Sequence, residues 1–184
     1  MRLLLPTLAC LAASACSARA GQQDAGPSDS GIQVVVLDGG VRHAALPPAK
    51  HLASCSDMAC GNGLEPPMGG DHCPMWLPCR AYTEAQPRCQ YLHNLEHGHA
   101  VLAWNCPQGC PDLVARLTQE FNDRQADPSL RRILVTPDPQ LSKRMAVMVW
   151  GWAWAGDDFD EAAVREVLSH QDLEAPEAGL GCDK

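Results

Sequence analysis

The stretch Met145-Ala146-Val147-Met148-Val149-Trp150-Gly151-Trp152-Ala153-Trp154-Ala155 decides how the chain is read. In an extended backbone successive side chains point to opposite faces. Trp150, Trp152 and Trp154 therefore fall on one side, with Val149, Gly151 and Ala153 on the other. The spacing predicts one long strand. Its tryptophan face reads as core, because large aromatics are what a small domain buries; an exposed stripe would instead be a ligand platform.

Working outward, Arg132-Ile133-Leu134-Val135-Thr136 before Pro137, Ala100–Trp104 before Asn105-Cys106-Pro107, and Ile32–Leu37 before Asp38-Gly39-Gly40 read as shorter strands closed by turns. Pro111-Asp112 opens a helix whose Leu113, Val114, Leu117 and Phe121 recur at helical spacing to about Gln125. Asp158-x-x-Glu161 resembles an N-cap with its reciprocal acid. Phe159, Ala163, Val167 and Leu168 put an apolar stripe on the helix that follows. The expected fold is α+β: a small single domain with a short, mostly antiparallel sheet, two helices, and a Pro/Gly/Cys-rich loop over 47–90 stapled by disulfides.

A chain of 184 residues suits one domain, and 46% hydrophobic against 20% charged residues supplies an ordinary globular core. With 14 basic against 22 acidic residues the net charge is −8, so no basic face exists to neutralise phosphates and nucleic acid is excluded as a partner. Met1-Arg2 and the apolar run to Ala15 read as an export signal. Ala13-Ser14-Ala15-Cys16 resembles a lipobox, with Ala13 where Leu is usual; Ala18-Arg19-Ala20 is a rival cleavage site that would give a secreted protein. The expected organisation is a signal peptide over 1–15, a lipidated Cys16, a flexible tether over 16–31 and a globular domain over 32–184. No later apolar run is long enough to span a bilayer, so the membrane is reached only through the lipid anchor, in a bacterial cell envelope on its periplasmic or surface face.

Cysteine usage supports export. Beyond Cys10 in the leader and Cys16, the chain holds Cys55, Cys60, Cys73, Cys79, Cys89, Cys106, Cys110 and Cys182, an even set that predicts disulfides. Spacing groups Cys55 with Cys60, Cys73 with Cys79, and Cys106 with Cys110, but the partners are not fixed by spacing. The absence of C-x-x-C pairs speaks against a four-thiolate zinc site and against redox catalysis.

The chemistry concentrates in His93-Asn94-Leu95-Glu96-His97-Gly98-His99. On a helix His93 and His97 lie on one face with Glu96 beside them; in a strand His93, His97 and His99 share a face. Imidazole suits zinc or copper, and such sites need three or four donors, which His51 and His72 in the Cys-rich loop can complete. Any single histidine is better explained as solvated or bonded to backbone. Four of them with a glutamate, in and beside a crosslinked loop, point to a transition metal bound by His51, His72, His93, His97 and Glu96. Helix or turn geometry directs His99 away, and His43 and His170 read as surface histidines. The same residues spell H-x-x-E-H, which in a zinc hydrolase supplies two ligands and a Glu base, with Glu174 as a third ligand; Gly98 breaks the helix that motif needs. A stapled interaction module with incidental histidines is the other alternative. Met58, Met68 and Met75 are soft donors suited to Cu(I), though methionine more often fills gaps.

In order along the chain, His51, then Pro66, Pro67, Gly70 and His72, then His93, Leu95, Glu96, His97 and Gly98, then Trp150 and Gly151, and last Pro176 and Glu177 resemble the bacterial exported family named domain of unknown function 3105. The resemblance covers roughly 51–178. It departs at Met68, Gly69 and Asp71, where that family has Thr, Ser and Pro, and the many cysteines are an addition. The resemblance implies a domain boundary and the same four histidines, and no activity.

Overall fold

The structure, a computed structural model, describes residues 23–25, 31–56, 60–127, 130 and 132–182. The expected signal peptide, Cys16, Met58 and most of the expected tether lie outside the described residues.

The decisive stretch is not one strand. β6 (Met145–Val149) and β7 (Trp152–Gly156) form an antiparallel hairpin in which Val149 faces Trp152 and Met145 faces Gly156. Trp150-Gly151 is the two-residue turn. Gly151 takes φ +77°, which a side chain resists, and an added Cβ would lie 3.1 Å from Glu174 Oε2 and 3.2 Å from the Ala44 carbonyl. The reversal divides the tryptophans. Trp152 and Trp154 join one core and Trp150 the other.

The rest of the sheet grows from that hairpin. β1 (Gln23–Ala25), β2 (Val34–Val36) and β3 (Arg42–His43) extend it beyond β7; β4 (Ala100–Trp104) and β5 (Ile133–Pro137) extend it beyond β6. The order is β1-β2-β3-β7-β6-β4-β5. Every pairing is antiparallel except β4 with β5, which α2 (Pro111–Gln125) connects. The fold is α+β as expected, with three α-helices among the described residues where the sequence predicts two.

Both faces of the sheet are covered. Ala100, Leu102, Ile133, Val135, Val147 and Val149 pack under α2 and α3 (Glu161–Ser169). Val101, Ala103, Leu134, Ala146 and Met148 pack under α1 (Arg88–Glu96) and the Cys-rich loop. Two-sided burial makes these strands apolar at nearly every position, Thr136 of β5 being the polar exception. The cap of α3 is Asp160, whose carboxylate accepts the Ala162 and Ala163 amides at 3.0 Å; Asp158 lies two residues too early for that role.

The disulfides join Cys55 to Cys73, Cys60 to Cys89, Cys79 to Cys182 and Cys106 to Cys110. Only the last follows the grouping by spacing. The others cross between chain segments because the loop over 47–90 folds back on itself, on α1 and on the segment that carries Cys182. Among the described residues, no helix is long and apolar enough to cross a membrane.

Candidate metal centre

α1 is buried on nearly every side, from Cys89 through Tyr91, Leu92, His93, Asn94 and Leu95 to Glu96. Its start is tied down by Arg88, which donates to Asp138 Oδ2 at 2.8 Å, the oxygen that also accepts the Tyr91 hydroxyl at 2.7 Å. His93 and Glu96, three residues apart, therefore project from one face of a fixed helix. His72 arrives from the loop. It pairs with His51 in a parallel bridge, with the Leu52 amide donating to His72 O at 2.7 Å and the His72 amide to Lys50 O at 3.1 Å. The disulfides Cys55–Cys73 and Cys60–Cys89 weld these segments together, and the Cys73 amide donates to Cys89 O at 3.2 Å.

The result is a convergence on one atom. Glu96 Oε2 lies 2.9 Å from His72 Nε2, 3.4 Å from His51 Nε2 and 3.9 Å from His93 Nε2. The ligand atoms of His51, His72, His93 and Glu96 all lie within 4.8 Å of one another, a group that could hold a metal ion. From behind, His72 Nδ1 donates to Gly70 O and His93 Nδ1 to Cys73 O, each at 2.8 Å. A carbonyl only accepts, so each Nδ1 carries a proton and each Nε2 is aimed inward.

Electrostatics separate the imidazoles. Burial opposes charge on His72, but the bond to Glu96, the Gly70 carbonyl and the Glu96 charge together raise its pKa. Burial likewise pushes the Glu96 carboxyl up, while the His72 bond and the charges of His72, His51 and His93 bring it below the usual range. Burial, with the neighbouring charges of His72 and His97, lowers His93 to about 4. His72 and Glu96 thus form a buried ion pair, and His93 presents a neutral nitrogen with a free lone pair.

His97, expected as a fourth imidazole ligand, stands beside the group and not in it. It is the C-cap of α1, where the backbone leaves helical geometry. Its ring lies 4.5 Å from that of His93 and 4.6 Å from Trp76, centroid to centroid. It is 2% exposed, and its Nδ1 is 3.3 Å from Glu177 Oε2 without hydrogen-bond alignment. Burial lowers its pKa. The Glu177 amide donates to Glu96 O at 3.0 Å, so the Pro176-Glu177 segment closes over the end of α1.

The remaining expectations resolve locally. His99 accepts from Asn94 at Nδ1 and donates from Nε2 to Leu180 O, at 2.9 and 2.8 Å. It sits with Cys79 and Cys182 in a second compact group, but those cysteines are joined to each other and both His99 nitrogens are engaged. His43 stacks on Trp152 and meets Glu174, and His170 stacks on the same indole. Glu174, the third ligand a hydrolase would need, accepts instead from Trp152 Nε1 at 2.9 Å and contacts His43. Glu96 is engaged by three imidazoles, unlike a free base. Met68 is core and Met75 is 49% exposed.

Sequence reasoning missed two participants. Asn94 clamps the loop by donating to Leu77 O at 2.7 Å and accepting from the Leu77 amide at 2.9 Å. Trp76 packs edge-on against His93 and His97. The position of Asn94 inside the histidine segment was the available signal for the first. For Trp76 there was none.

No curated protein and no solved structure matches the chain. A family match covers residues 53–184 and includes His72, His93, Glu96 and Glu177, with His51 just before it. On that match the chain belongs to the family described as protein of unknown function (DUF3105).

Proposed function

We propose that this protein binds a transition metal ion, zinc or copper, through His51, His72, His93 and Glu96, as an exported envelope protein anchored by lipid on Cys16. One observation carries the metal reading: three imidazole Nε2 atoms are turned on a single carboxylate oxygen, at 2.9, 3.4 and 3.9 Å. Nitrogen lone pairs facing an anion repel unless a proton or a cation lies among them. One proton, on His72, satisfies one of the three. A divalent cation satisfies all of them, and three imidazoles with one carboxylate suit zinc or copper better than a hard cation. The backbone carbonyls behind His72 and His93 do what outer partners do for metal ligands, fixing tautomer and ring direction.

Lipid anchoring and envelope location are supported by the leader, by the residues before Cys16, and by four disulfides that persist only in an oxidising compartment. The test is elemental analysis of protein produced in a periplasm without a histidine tag. Near-stoichiometric zinc or copper is expected in the wild type and none in His72→Ala with His93→Ala. A wild type that takes up neither ion defeats the reading.

A further inference from the structure

The four candidate ligands are not held alike. His72 and His93 are buried, and a carbonyl fixes the Nδ1 of each at 2.8 Å. Glu96 rides on α1 with its side chain 10% exposed. His51 differs on every count. Its side chain is 49% exposed, and among the described residues no hydrogen bond holds its Nδ1. Only its backbone is fixed, through the bridge to His72. An imidazole without a partner behind it is poorly oriented and turns aside easily, because that outer bond sets both the ring's direction and its basicity.

Resting on the metal-binding reading, we infer that the ion is exchanged through His51, the solvent-facing ligand, with an incoming nitrogen donor. His72, His93 and Glu96 form the fixed cradle, and His51 is the ligand that yields. The incoming nitrogen forms its bond to the ion as the bond to His51 Nε2 breaks. His51 leaves as neutral imidazole, and the charge of the ion does not change. A nitrogen donor is the fitting acceptor because it keeps the nitrogen-rich donor set through the exchange. Of the four, His51 is the ligand that solvent reaches, its side chain 49% exposed against 0%, 4% and 10% for His72, His93 and Glu96.

The test uses the protein loaded with zinc alone and mixed with a chromogenic nitrogen-donor chelator, transfer being followed by stopped flow. The wild-type rate should rise with chelator concentration. His51→Ala should retain zinc under excess metal yet release it at least about tenfold faster, the scale on which a ligand's supports affect metal binding. Added imidazole should restore slow release, since the space left by His51 opens to solvent. His51→Gln, which keeps more of the side chain, should shift release in the same direction. Release from both variants at the wild-type rate, no response to imidazole, or a wild-type rate independent of chelator concentration each overturns the inference. A wild type that binds no zinc defeats the parent reading as well; a zinc-loaded wild type with unchanged variants defeats this inference alone.

Discussion

Both ring nitrogens of His72 donate, one to Gly70 and one to Glu96, so the ring is a buried cation paired with a carboxylate. A metal ligand must offer a lone pair, so ion uptake has to remove the Nε2 proton. The direction follows. The His72 pKa is raised above 6.5, so the proton is present at and below that value, and affinity should rise with pH until it is lost. Calorimetry in buffers of different ionisation enthalpy should show net proton release on ion uptake at pH 6.5, with affinity rising as the pH rises from there. Uptake without proton release at that pH contradicts the assignment of His72 as a ligand. The sequence made His51, His72, His93 and Glu96 legible because imidazole and carboxylate have few reasons to gather in a stapled loop. His97, four residues beyond His93, lies outside that compact group because it is the cap of α1, where its ring packs against Trp76 and comes near Glu177.

Helix α1 could not be read from its pattern. An amphipathic stripe marks a helix with one wet face, and α1 is enclosed, with polar residues pointing inward to bind the loop and form the site. The β6–β7 hairpin was missed for a related reason. Trp150-Gly151 lacks the Asn-Gly or Asp-Gly signal of a tight turn, and two-sided burial hides the change of direction. What ends α1 was visible as Gly98. It takes φ +77°, and a Cβ there would collide with the Asp172 carboxylate, which pairs with Arg132. Gly98→Ala should therefore destabilise the fold by about 1–3 kcal/mol, the cost of forcing a side chain into that backbone region, before any loss from displaced Asp172. Urea denaturation checks it, and a variant as stable as the wild type would show that the segment after α1 can move aside freely.

At the scale of the whole molecule, the cysteines divide by task. Cys55–Cys73 joins the two loop segments that carry His51 and His72, and Cys60–Cys89 joins that loop to the helix that carries His93 and Glu96. Cys106–Cys110 belongs to the opposite core. Replacing Cys60 and Cys89 by Ser should lower metal affinity and cost about 2–4 kcal/mol of stability. Replacing Cys106 and Cys110, which close a loop with a sequence separation of only 4, should leave affinity unchanged. Competition titration against a calibrated chelator separates the two, and equal affinities across both variants would mean that the ligands need no staple. Compartment and even number were legible from composition. Connectivity was not, since it depends on which segments meet after the sheet has formed. The bond from Cys79 to Cys182 sets a timetable for biogenesis. Every candidate ligand precedes Cys182 in the chain, so the coordinating residues are all made before this bond can be oxidised.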